Sequence, residues 1–143
     1  MGGRSDAAIR RAARHGDCWL PYMVSPGRYA RGLAALDEEA HVSGRDPARF
    51  FRGLVLFAHV DDDGERARAE AIAHLSERYG MPFERHHVER LCVVGTPEEC
   101  LARIDAYRAA GAEHISFNPA VAEDGFFEQV RRIRAVGGVG APA

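Results

Sequence analysis

Between Ser5 and His15 the apolar residues Ala8, Ile9, Ala12 and Ala13 recur at helical steps, while Arg10, Arg11 and Arg14 take the opposite side. This spacing predicts an amphipathic helix, with Ser5 or Asp6 placed to cap it and Gly16 to stop it. Cys18-Trp19-Leu20-Pro21-Tyr22-Met23 is apolar without alternation and predicts a buried strand ending near Pro21. Ser25-Pro26 then opens a second helix, with proline where its missing N–H does no harm. Its stripe is Tyr29, Leu33, Leu36 and Ala40, closed by Ser43-Gly44. The run Leu54 to Val60 predicts a strand covered on both faces, as parallel strands between helices are.

Asp61-Asp62-Asp63 follows at once and reads as the cap and dipole-matching charge of a helix over about 64–79. Three adjacent carboxylates do not converge on a metal without an ordered loop. Gly80 to Glu89 is polar and aromatic, with Met81-Pro82-Phe83 blocking a continuous helix, and is taken as an insertion. Leu91 to Gly95 is a short apolar segment not counted among the strands. Thr96-Pro97-Glu98-Glu99 has the form of a capping box, with Leu101, Ile104 and Tyr107 as the buried stripe behind it. His114 to Pro119 predicts a third strand. A final helix is expected to turn Phe126, Phe127, Val130 and Ile133 inward and Arg131, Arg132 and Arg134 outward. The domain is bounded at 1–136, with 137–143 as a flexible tail.

Helices that alternate with strands make the strands parallel. An open three-stranded parallel sheet has two unprotected edges, so it needs a missing N-terminal segment or a partner. The start of the chain points the same way. Gly2-Gly3 is the kind of turn that normally follows a strand, and only Met1 precedes it.

With 143 residues, 46% of them hydrophobic, the chain is long enough for one real core. A formal charge of -2 gives no electrostatic reason to expect nucleic acid or an anionic membrane as partner. All 19 basic residues are arginine, which excludes a Schiff-base lysine. Cys18, Cys92 and Cys100 are odd in number and lack C-x-x-C spacing, so a cytoplasmic setting without disulfide or zinc is expected. No apolar run has the length of a membrane span. Cys92 and Cys100 read as small core residues. His86-His87 has flanking Glu84 and Glu89, but adjacent histidines tend to point apart and no second cluster completes a metal site. The clearest candidate chemistry is at Gly2-Gly3-Arg4-Ser5, where bare backbone, a helix N-terminus and a guanidinium could receive an anion.

The run Gly2 to Ala13 with Gly16-Asp17-Cys18-Trp19-Leu20 resembles the turn, helix and strand in the second half of luciferase-like monooxygenases, especially their F420-dependent oxidoreductase branch. Val94 to Cys100, Tyr107 to Ala112 and the strand ending in Asn118-Pro119 resemble the approach to that family's last barrel strand. Cys18 departs from the glycine expected between the aspartate and the tryptophan. The resemblance implies an α/β fold, the C-terminal portion of a TIM-type (β/α)8 barrel with about three βα units, incomplete as a single chain. It implies an oxidoreductase passing a hydride between coenzyme F420, or alternatively FMN, and a small organic substrate. It assigns Gly2, Gly3, Arg4 and Ser5 to the cofactor's phosphate tail. Barrel active sites lie at the C-terminal ends of strands, where the expected strands put Tyr22, His59 and Asn118. His59 is then a candidate for proton exchange, and Tyr22 and Asn118 for lining the substrate pocket. The alternative is a non-catalytic remnant or assembly module, completing its sheet by self-association or with a separate N-terminal half.

Overall fold

A computed structural model of the chain describes residues 1–138 and, within them, six α-helices and three strands. The helices are α1 (Asp6–His15), α2 (Pro26–Val42), α3 (Gly64–Tyr79), α4 (Arg85–Leu91), α5 (Pro97–Ala109) and α6 (Phe126–Gly137). The strands β1 (Gly53–Val60), β2 (Val93–Gly95) and β3 (His114–Pro119) form one parallel sheet in the order β2-β1-β3. No helix among the described residues is long and apolar enough to cross a membrane.

The helices begin where the capping residues stand. Ser5 Oγ accepts the Ala8 N–H at 3.2 Å, and Asp63 accepts from Glu65 and Arg66 at 3.0 and 3.1 Å. Thr96 and Glu99 exchange bonds in both directions: the Thr96 N–H reaches the Glu99 carboxylate at 2.8 Å, and the Glu99 N–H reaches Thr96 Oγ1 at 3.3 Å. Each cap satisfies N–H groups that a helix leaves without an internal partner.

Three strands are present, but not the expected three. Cys18 to Met23 is joined only by isolated parallel bridges, Tyr22–Val55 on β1 and Cys18–Phe51 just before it, and Pro21 brings no N–H to a ladder there. The third sheet member is instead β2, inside the short apolar segment Leu91 to Gly95 not counted among the strands, paired with β1 from Ala58–Val93 to Val60–Gly95. The order along the lower half of β1 is nonetheless that of the chain. Phe51 and Val55 turn their N–H groups toward Asp17 and Pro21, while the Arg52 carbonyl accepts from Glu113 and His114. Alternate residues of an extended strand face opposite edges, so the Cys18–Tyr22 segment and β3 flank β1.

The expected insertion, Gly80 to Glu89, gives most of α4, which starts after the Pro82 break because the His87 ring accepts the Glu84 N–H at 3.0 Å. In α5 the buried face is Cys100, Ile104 and Tyr107, and Leu101 lies beside it, 42% exposed. In α6 the buried stripe is Gln129, Ile133 and Gly137, four residues apart. Phe126 heads the helix a turn before that stripe and Phe127 is rotated off it, so both are exposed rather than inward. Val130 is half-buried. The helix runs on to Gly137, and residues 139–143 of the expected tail lie outside the described residues.

By contacts the chain forms two compact units. The first, Met1–Val55 with Ala106–Ser116, is built on Trp19, stacked 5.8 Å from Tyr29. Gly32 on α2 lets that indole approach: a Cβ there would stand 2.1 Å from the ring. The Tyr29 and Tyr107 hydroxyls donate to the Gly53 and Val24 carbonyls, which lets both buried phenols keep a partner. The second unit runs from Leu56 to Asp105 and from Phe117 onward. Its buried apolar residues include Leu56, Ala58 and Val60 of β1, Ala67, Ala71 and Leu75 of α3, Ile104 of α5 and Ile133 of α6.

Candidate functional site

In the first unit the sequence Gly2-Gly3-Arg4-Ser5 is held as a turn by Trp19, whose indole N–H donates to the Gly3 carbonyl at 2.9 Å. Gly3 has φ +111°, and an added Cβ would stand 2.8 Å from that of Ala8. A side chain is therefore excluded twice, by backbone strain and by contact. Along the entry, Met1 pairs with the Cys18–Leu20 segment, since the Leu20 N–H donates to the Met1 carbonyl at 2.8 Å.

The turn delivers the N-terminus of α1 with its surface open. Arg4 and Ser5 are exposed. Among the described residues the first two helical N–H groups, on Asp6 and Ala7, have no acceptor. Ser5 Oγ accepts from Ala8, which leaves its own hydrogen free to donate. The Arg28 guanidinium donates to the Arg4 carbonyl at 3.1 Å and to the Asp6 carboxylate at 2.8 Å. Asp6 is thereby neutralised by Arg28, and Arg4 is left as the uncompensated charge of the turn. Its guanidinium lies 5.3 Å from the centre of the Tyr22 ring. Tyr22, assigned in the sequence to a different part of the site, thus comes together with Arg4. The next residue, Met23, has φ +49°, a left-handed conformation that a non-glycine residue adopts only when its surroundings impose it.

His59 and Asn118 belong to the second unit. His59 is 1% exposed, with Nδ1 3.1 Å from the Ala120 carbonyl oxygen and Nε2 3.2 Å from the Glu70 carboxylate. A neutral imidazole serves one of these acceptors and a protonated one serves both. It lies at the floor of a cleft of about 520 Å³, between Glu70, His74 and Glu77 of α3 and the segment from Val121 to Gln129. Burial lowers the His74 pKa, with Arg78 adding to the effect. Asn118 lines a neighbouring cleft of similar volume with His74, Arg78 and Phe126.

Gln129 was not legible as a site residue. Its amide oxygen accepts the Val60 N–H at 2.9 Å and its amide nitrogen donates to the Val60 carbonyl at 3.0 Å. Just below, the Ala120 N–H donates to the Ala58 carbonyl, so Gln129 continues the ladder where β3 has ended. Glu70 was also missed; its only signal is the four-residue step to His74 on one helix face.

The remaining candidates are structural. The His86 and His87 rings stand 3.9 Å apart between centroids and do not diverge as expected. His87 caps α4 while His86 lies 3.2 Å from Glu84. Among the described residues no three side chains gather as a metal site. All three cysteines are free, and burial pushes the Cys92 and Cys100 thiols up to about 12, far from a reactive thiolate.

The profile of luciferase-like monooxygenases matches residues 1–114. No curated protein sequence matches the chain. Among solved structures, an F420-dependent secondary alcohol dehydrogenase, bound to an F420–acetone adduct, superposes with TM-score 0.73 at 16% identity, covering 93% of this chain and 48% of that one. The coenzyme F420-dependent tetrahydromethanopterin reductase of Methanopyrus kandleri gives 0.71 at 13% identity with the same coverage. The FMN-bound oxygenating constituent of 3,6-diketocamphane monooxygenase from Pseudomonas putida gives 0.64 at 15%, covering 87% and 43%. At such identities the likeness speaks for the fold alone. The chain spans about half the length of these structures.

Proposed function

The chain belongs to the luciferase-like monooxygenase family, and from that we propose that it takes part in hydride transfer between a small organic substrate and a deazaflavin (coenzyme F420) or FMN. When bound, the cofactor's ring supplies the two-electron chemistry. The part of this chain is to hold the phosphate-bearing tail. The turn into α1 carries the proposal: Gly2 and Gly3 keep side chains away, the Asp6 and Ala7 N–H groups and the Ser5 hydroxyl have no acceptor among the described residues, and Arg4 adds a charge that Asp6 does not cancel. These are the groups a phosphate needs. Tyr22, packed under Arg4, is assigned to the adjoining contact with substrate or cofactor, and Asn118 to the lining of its own cleft. His59, almost without exposed surface, is assigned to the support of that unit's cleft rather than to proton exchange with substrate. The free cysteines accord with a cytoplasmic setting.

Fluorescence titration of the purified chain with coenzyme F420 and with FMN, in separate arms, tests this reading and decides between the two. A saturable change with one of them is expected. Arg4→Ala should weaken it about tenfold, the worth of one charge-assisted hydrogen bond. No change with either cofactor at millimolar concentration would remove the proposal.

A further inference from the structure

A neutral imidazole has one N–H, yet His59 faces two acceptors. Nδ1 lies 3.1 Å from the Ala120 carbonyl oxygen and Nε2 lies 3.2 Å from the Glu70 carboxylate. Neither partner has a hydrogen to give back while Glu70 is ionised. The ring is 1% exposed, so bulk water does not reach it to supply a donor. Only an imidazolium, with a proton on each nitrogen, satisfies both contacts as they stand. The two acceptors also belong to opposite walls of the cleft. Glu70 is on α3, and Ala120 follows β3, where the segment forming the other wall begins.

The acceptors are not equal once the second proton leaves. Ala120 is fully buried and its own N–H is held by the Ala58 carbonyl at 2.8 Å. Its carbonyl therefore has no solvent to turn to, and leaving it unpaired is the costlier loss. The Glu70 side chain is half-exposed and can be hydrated instead. Deprotonation then falls on Nε2, whose bare lone pair faces a carboxylate and no longer holds it. We propose that His59 is a proton-operated latch on this cleft. With both nitrogens protonated it ties α3 to the turn after β3; on losing the Nε2 proton it keeps Ala120 and lets Glu70 go. The latch stands on this geometry alone and needs no bound cofactor.

The other charged groups facing the ring leave its proton as the switch. Past the end of β1, Asp61 is paired with Arg66. On α6, Glu128 is paired with Arg131 and Arg132, and Asp124 lines the same wall. From α5, Cys100 approaches the His59 carbonyl, and burial pushes its thiol up to about 12, so it stays neutral. On α3, Glu77 and His74 face the cleft, with Arg78 beside them. Carboxylates and arginines hold their charge through the neutral range, which leaves His74 as the competing titration. Burial lowers its pKa, with Arg78 adding to the effect.

Nuclear magnetic resonance of the isotope-labelled full chain, titrated over about pH 5 to 8, reads ring and backbone together. At the acid end both His59 ring nitrogens should carry hydrogen. With rising pH Nε2 alone should lose it, and the α3 amides around Glu70 should shift along the same curve. Glu70→Gln should abolish those amide shifts while the His59 ring still titrates, and His74→Gln should leave both in place. Glu70 and His74 each reach solvent, so neither substitution disturbs the core. A His59 ring whose proton count stays constant across the range overturns the proposal. So does loss of the Nδ1 proton instead, or α3 amides that follow the His74 ring or shift unchanged in Glu70→Gln.

Discussion

Gln129 holds Val60 at both its N–H and its carbonyl, and it is 6% exposed, so water cannot take over either bond. Gln129→Leu keeps the volume of the side chain and leaves a buried donor and acceptor unpaired. It should lower unfolding stability by about 1–3 kcal/mol, read from denaturant midpoints at constant slope. Gln129 also marks where the sequence pattern misleads. Phe126 and Phe127 draw the eye as the inward face of the last helix, yet a polar residue two places on is the buried one. The signal that decides it is the four-residue step to Ile133 and Gly137, which is visible only once hydrophobicity is set aside. At the candidate cofactor turn more was legible: the glycines, Arg4 and Ser5 all stand out in the sequence. What could not be seen is that Trp19, sixteen residues from Gly3, anchors the turn, or that Arg28 neutralises Asp6, because both contacts depend on how the chain folds back.

Among the elements, α3 and α4 are joined by charge as much as by packing. Arg85 donates to the Glu65 carboxylate with both terminal nitrogens, at 2.6 and 2.8 Å, and Arg68 adds two more donors at 2.8 and 3.1 Å. Together they hold the Glu65 pKa at about 2, against an ordinary value of 4.5, with the Arg85 bonds as the larger cause. A carboxylate with a depressed folded pKa contributes stability above its unfolded pKa and loses it as pH falls through the folded one. The contribution of Glu65 is therefore intact above about pH 4.5 and fades between there and about pH 2. Urea midpoints measured across that window should fall less steeply for Glu65→Gln than for the unmodified chain, and added salt should narrow the difference. Equal slopes would mean that this exposed network does nothing for folding. Legibility also varied at this scale. Caps with a side-chain mechanism, at Ser5, Ser25, Asp63 and Thr96, fixed helix starts almost to the residue. The short α4 and the three-residue β2 were hidden, since neither is long enough to show a period and Pro82 masks the helical turn beyond it.

For the whole molecule, the alternation of helix and parallel strand and the resemblance of its two motif runs led to the fold that the superpositions share, over about half the length of those structures. The strand that proved irregular, Cys18 to Tyr22, still lies beside β1 in the order expected. Most depends on the turn that opens α1 being a phosphate site. Amide nuclear magnetic resonance on the isotope-labelled chain, titrated with the cofactor that answers in fluorescence, tests that site directly. Saturable shifts should concentrate on Gly2 to Ala8, with Asp6 and Ala7 largest and the Arg4 guanidinium following the same curve. Shifts that gather elsewhere and leave those amides unmoved would contradict it.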